Sequence, residues 1–80
     1  VYIVRCADRT LYTGTTINVA ARAAAHNSGR GAKYTAARRP VKVVYAEAAA
    51  SRSAALKREH AIKAMTRTAK LALVRAASRR

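Results

Sequence analysis

Apolar and β-branched positions crowd together at the start of the chain, in residues 1 to 6 and again in residues 10 to 15, with Ala7-Asp8-Arg9 between them. Two such runs around a turn read as a β-hairpin. Loop parity then decides where the side chains go. If three residues form the loop and Cys6 pairs with Thr10, Tyr2 falls opposite Gly14 and Val4 opposite Tyr12. Both phenols then project from one face as diagonal neighbours. A two-residue loop pairing Ala7 with Thr10 sends them to opposite faces, because a one-residue slip inverts every side chain.

Downstream, Asn18 can cap a helix running to about His26, closed by Asn27-Ser28-Gly29 with Gly29 left-handed. A long loop from Ser28 to Pro40 follows, and Pro40 introduces a third strand, Val41 to Ala46. Ser51 or Ser53 starts another helix to about Ala64, and Thr66 caps a last one towards Ala77, whose Leu71 and Val74 face reads as packing. This order predicts an α+β fold, a small three-stranded antiparallel sheet flanked by helices, with residues 1–80 as one domain.

Composition narrows the function classes. Apolar residues make up 51% of 80 positions, enough for one modest core. No apolar run could span a bilayer and no secretory signal is visible, so a cytoplasmic protein without a membrane partner is expected. The chain starts without Met and directly on a strand, which suggests that a few preceding residues are absent. Cys6 has no partner for an internal disulfide and reads as a small core residue. Charge is the extreme feature: 17 Lys and Arg against three acids give +14. Nucleic acid is the partner this implies, since each neutralised phosphate releases condensed counterions. Charge alone does not separate a nuclease from a passive binder.

A few polar residues stand out against the alanines. Arg22 and His26, four apart on one helix, share a face and could reach a common phosphate. Arg22 would offer a planar cationic fork, and His26 a hydrogen bond to a phosphate oxygen or a tyrosine hydroxyl. The alternatives are a solvated arginine and a helix-end cap. Glu59 lies three or four residues from Ala55, Leu56 and Ile62, apolar neighbours expected to face inward, so its carboxylate needs a cation. That cation is either Mg²⁺ on one carboxylate or Lys63 one turn on. Asp8 belongs to the hairpin turn and Glu47 to the end of the third strand. With three acids no two-metal carboxylate cluster can form, and His26 and His60 do not make a zinc spacing. Gly29, Arg30, Gly31, Lys33, Arg38 and Arg39 fall together in the long loop, a segment suited to positioning a phosphate backbone rather than reading bases. Arg75, Arg79 and Arg80 extend the basic surface.

The ordered set Tyr2, Leu11-Tyr12-Thr13-Gly14, Arg22, His26, Gly29-Arg30-Gly31-Ala32-Lys33-Tyr34-Thr35, Arg39-Pro40, Val43-Val44-Tyr45 and Leu56-Lys57-Arg58-Glu59 resembles the GIY-YIG nuclease domain, in its small single-domain branch. The resemblance covers nearly all of the chain. It implies a metal-dependent endonuclease acting on DNA, with a place in DNA repair and, as in some members of the family, a protein partner for substrate choice. It further implies catalytic roles for Tyr2, Tyr12, Arg22, His26, Tyr34 and Glu59, with Glu59 holding Mg²⁺ or Mn²⁺. Arg30, Lys33, Arg38 and Arg39 would then bind nucleic acid. In that mechanism Tyr2 or Tyr12 is the general base, its phenol lowered by Arg22, Lys33 or the metal. Arg9 departs from the family where glycine is common at the last loop position, at a cost of about 1 kcal/mol. The family's motif glycine would lie among the residues before Val1, and its late Asn has no counterpart after Asn27. A basic DNA- or RNA-binding module without catalysis is the alternative reading.

Overall fold

The computed structural model describes residues 1–78. β1 (Tyr2–Arg5) and β2 (Leu11–Gly14) form the hairpin, followed by α1 (Val19–Asn27), a single-turn α2 (Lys33–Ala36), β3 (Lys42–Ala46), α3 (Arg52–Lys63) and α4 (Arg67–Ser78). The three strands make one antiparallel sheet in the order β2-β1-β3. The expected α+β architecture is therefore the one observed. Arg79 and Arg80 lie outside the described residues.

The hairpin takes the three-residue loop. Cys6 N–H donates to Thr10 O at 2.9 Å, Arg9 N–H to Cys6 O at 2.9 Å, and Tyr2 faces Gly14 while Val4 faces Tyr12. Arg9 closes the turn at φ 69°, in the left-handed region that an L side chain enters only at a cost. The central strand is buried on both faces, from Val1 through Val4. On one face Tyr2, Val4, Cys6 and Val41 pack with Tyr12, Val19 and Val43; on the other Val1, Ile3 and Ile62 pack with residues from β2, β3, α3 and α4. Fully burying Ile3 and Ile62 contributes roughly 1.5–3 kcal/mol each.

The helix ends follow their sequence signals. Asn18 Oδ1 accepts from Ala21 N–H at 3.0 Å, Ser51 Oγ from Ala54 N–H at 3.0 Å and Thr66 Oγ1 from Ala69 N–H at 3.2 Å. Gly29, at φ 84°, turns the chain out of α1 as expected. Three expectations need correction. The third strand starts at Lys42, because both main-chain groups of Val41 bond instead to the Asn27 amide: Nδ2 donates to Val41 O at 3.1 Å and Oδ1 accepts from Val41 N–H at 2.7 Å. The segment from Ser28 to Pro40 is not loop throughout; it holds α2, whose Thr35 is fully buried. Leu56 points outward with 47% exposure, whereas Ala55 and Ile62 pack inward. Of the last helix, Val74 joins the core together with Leu73, while Leu71 lies beside a surface cavity.

Candidate active site

With the hairpin parity settled, Tyr2 and Tyr12 share a face, and His26 from α1 enters between them. Its ring centroid is 5.9 Å from that of Tyr2 and 5.4 Å from that of Tyr12. Tyr34 of α2 stacks on Tyr12 at 5.9 Å, and the Arg38 guanidinium covers Tyr34 at 4.0 Å from its centroid. Four aromatic rings thus run from the sheet centre to the surface. Two glycines make the close packing possible: a Cβ at Gly14 would lie 2.6 Å from the Tyr2 hydroxyl, and one at Gly31 would lie 2.2 Å from His26 Nδ1.

His26 is fully buried, and its partners fix its tautomer. Thr35 Oγ1 donates its one proton to Ala32 O at 2.9 Å, so towards His26 Nδ1, 2.7 Å away, it can only accept. Nδ1 therefore carries the ring proton. Burial, aided by the charge of Arg22, holds the imidazole below its ordinary 6.5, so at neutral pH Nε2 is bare. It accepts the Tyr2 O–H at 2.8 Å. Of the two sequence readings of His26, the structure supports the bond to a tyrosine hydroxyl; no phosphate oxygen can reach a side chain so enclosed.

Tyr2 lies under opposing influences. Burial raises its phenol above the ordinary 10.0 and outweighs the pull of Arg22 in the other direction, while the negative charge of Glu59 adds to the rise. The expectation that Arg22 leaves this phenol easier to ionise is thus corrected in its net direction. The same influences show that Arg22 and Glu59 act on one hydroxyl from two different helices. Ring contacts bring Tyr2, Tyr12, His26 and Tyr34 together, the charge of Arg22 is felt at both Tyr2 and His26, and Glu59 borders the stack through Lys63, whose Nζ lies 5.9 Å from the Tyr12 centroid and 3.7 Å from the Glu59 carboxylate.

The three acids divide clearly. Asp8 accepts from Arg38 Nε at 3.0 Å, from Thr10 N–H at 3.1 Å and from Thr10 Oγ1 at 2.6 Å. Glu47 accepts from Arg58 Nε and from Tyr45 Oη, both at 2.8 Å. Among the described residues Glu59 has only Lys63 Nζ, at 3.7 Å, with one-fifth of its side chain exposed. One carboxylate with lone pairs to spare suits Mg²⁺, which keeps several waters and needs only one or two protein oxygens. No group of three His, Cys, Asp or Glu comes together among the described residues. The donor set therefore fits a lightly held hard cation and not a closed zinc site.

The arginines expected to bind nucleic acid have intramolecular duties. Arg38 pairs with Asp8 and donates from Nη1 to Tyr34 O at 2.9 Å; Arg39 donates to Ala36 O at 2.9 Å and Asn27 O at 3.4 Å; Arg30 Nε donates to Ser28 Oγ at 3.2 Å. Lys33 is exposed on α2. Arg38 covers the outside of the ring stack, and Arg30, Arg38 and Arg39 all hold the segment in place. The sequence reading assigned no role to Thr35 and gave Gly31 only a place in a phosphate-positioning loop, not its part in seating His26. Their signal was positional: a buried-capable hydroxyl and a residue without Cβ, four apart in a segment too polar to be core.

Comparison with known proteins gives the family of the chain. Residues 1–72 match the model of the GIY-YIG catalytic domain. The chain is 55% identical over 74 residues to a UPF0213 protein of Staphylococcus haemolyticus, covering 92% of this chain and 90% of the relative. It is 55% identical over 80 residues to one from Desulfotalea psychrophila (99% and 73%), and 54% identical over 74 residues to one from Natronomonas pharaonis (92% and 87%). No solved structure matches the chain. By domain match and by relatives alike, this chain belongs to the GIY-YIG catalytic domain family, in its small UPF0213 branch.

Proposed function

We propose that the chain is a metal-dependent endonuclease that hydrolyses phosphodiester bonds of DNA. The observation that carries this reading is the hydrogen-bonded series Tyr2, His26, Thr35, set beside Arg22 and the loosely paired Glu59. A phenol whose pKa burial has raised is a poor base by itself at neutral pH. A neutral imidazole on the same hydrogen bond supplies the missing basicity. As water attacks phosphorus in line, its proton passes through an intervening water to the buried Tyr2 Oη while the Tyr2 proton passes to His26 Nε2. The phosphorus–O3′ bond breaks, and the 3′ oxygen takes a proton from solvent. The phenol stays neutral throughout, and the positive charge ends on His26, steadied by its Nδ1–H bond to Thr35.

Arg22 offsets charge growing on the phosphate, and Tyr12 and Tyr34 give the scissile group an aromatic wall. Glu59 would hold Mg²⁺, which supplies Lewis-acid polarisation of the phosphate when bound. Glu59→Gln is the direct test, scored on flapped, duplex and single-stranded DNA with Mg²⁺. Cleavage should fall by at least about a hundredfold while binding in chelator is retained. A parent protein that cuts none of these substrates, yet binds them, would leave the family fold serving as a basic binding module.

The relay also predicts a rate that rises with pH through the lowered His26 pKa and is level by neutrality. A rate that climbs steadily towards pH 10 would instead mark a free phenolate as the base.

A further inference from the structure

At the hairpin end of the sheet lies a second feature that the proposed chemistry does not use. A cavity of about 470 Å³ is lined by Arg5, Arg9, Lys42 and Arg67, with Pro40 and Leu71 at its sides. Arg5 and Lys42 are direct cross-strand partners, an arrangement in which like charges destabilise a sheet. Arg67, the first residue of α4, donates from Nη2 to Arg9 O at 2.9 Å, which pins its guanidinium beside the left-handed turn. No acid lines the cavity among the described residues: Asp8 is bound to Arg38, Glu47 to Arg58 and Glu59 to Lys63. Four cations are gathered here without a counter-charge.

We propose that this cavity, formed by Arg5, Arg9, Lys42 and Arg67, is a second anion-binding site that takes backbone phosphates of the nucleic-acid strand engaged at the candidate active site. The strand's identity as substrate rests on the nuclease reading; the cavity's affinity for it does not. Phosphodiester is the ligand chemistry that fits, because the cations are spread around one hollow rather than focused on one point, and a strand presents a row of charges. A lipid surface is the poorer match. The large apolar side chains that stand exposed, Ile17, Tyr34 and Leu56, all lie outside this lining, so no anchor for a bilayer accompanies the charge. Arg5 follows Tyr2 by three residues on β1, roughly 10 Å along the strand, a distance spanned by about three nucleotides. Their side chains leave opposite faces of β1, so a strand that touches both places bends around the hairpin end of the sheet.

The test is anisotropy titration of a fluorescein-labelled DNA duplex in chelator, over a series of KCl concentrations, with parent, Arg5→Gln/Lys42→Gln, and a control pair, Arg52→Gln/Lys57→Gln, that removes the same charge from exposed positions. Loss of two phosphate contacts should flatten the slope of log K against log salt by about 1.8, and weaken binding at least about tenfold near 0.1 M salt. The control should change both much less. Thermal melting without DNA provides a second reading: relief of the cross-strand repulsion should leave the cavity variant at least as stable as the parent, which excludes misfolding as the cause.

Equal effects of cavity and control pairs would overturn the proposal, as would a cavity pair that loses only sedimentation with phosphatidylserine vesicles and keeps its DNA binding. Loss specific to the cavity pair upholds it, even when the parent cleaves nothing; that combination would count against the nuclease reading alone.

Discussion

Replacing Thr35 by valine keeps the side-chain shape and removes one oxygen. That oxygen accepts the His26 Nδ1–H at 2.7 Å inside a site where His26 and Thr35 are both fully buried. The ring N–H then has no acceptor, and leaving a buried donor unpaired costs about 1–3 kcal/mol. For a domain of this size each kcal/mol lowers the melting temperature by roughly 4–8 °C, so Thr35→Val should melt some 4–20 °C early. There is also a way for the ring to escape part of the penalty: it can move its proton to Nε2, which now donates to Tyr2 Oη instead of accepting from it. In that state the base beyond Tyr2 is gone. The variant should therefore lose activity by far more than its stability accounts for, at temperatures where it remains folded. Imidazole ¹⁵N shifts of His26 check the premise directly, since they separate the two tautomers. A parent spectrum showing the proton on Nε2, or a valine variant that keeps the parent's melting point, tautomer and rate, would refute the hydrogen-bond directions assigned here.

Further perturbations reach the same structure from other sides. Because His26 is held below 6.5 in the fold, the unfolded chain binds the proton first as pH falls; the stability due to this residue is fully present above 6.5 and is lost as pH drops through the folded pKa. Urea unfolding between pH 7.5 and 5 should show a decline of up to about 1.4 kcal/mol per pH unit, and a His26→Gln variant a flatter profile; parallel profiles would contradict the assignment. Thr13 is buried with a hydroxyl that finds no partner among the described residues, so Thr13→Val should stabilise by about 1 kcal/mol, and a loss of stability on denaturant titration would show that the hydroxyl is satisfied after all. Arg9→Gly relieves the φ of 69° and should gain roughly 1 kcal/mol, offset in part by the freer unfolded chain; a lower melting point would mean that the Arg67 contact depends on the arginine side chain.

Much of the fold could be read from local chemistry. Asn18, Gly29, Ser51 and Thr66 mark helix ends because caps and left-handed residues act within one turn of chain, and the hairpin needed only its loop parity. α2 was hidden for the opposite reason. A four-residue helix has almost no internal hydrogen bonding, and this one exists because Thr35 is drawn under His26 and Arg38 is tied to Asp8 thirty residues away. The candidate site divides in the same manner. Which residue types belong there follows from the ordered motifs, but the inward turn of His26, the outward turn of Leu56 and the prior commitments of Arg38 and Arg39 depend on tertiary neighbours that no spacing along the chain encodes. The bulge between Ile3 and Val4, which lets Lys42 fall opposite Arg5, is equally non-local.

The Asn27 amide has an outcome at the rim of the sheet as well. β3 is an outer strand, and outer strands offer ready templates for a foreign chain to extend. At the point where β3 begins, the donor and the acceptor of Val41 are both already consumed by one side chain, and the bulge farther along breaks the regular spacing a guest would need to match. The chain thus carries its own stopper against intermolecular sheet growth, built from a single carboxamide at the end of α1, and Asn27→Ala should be detected first as aggregation on storage rather than as lost chemistry.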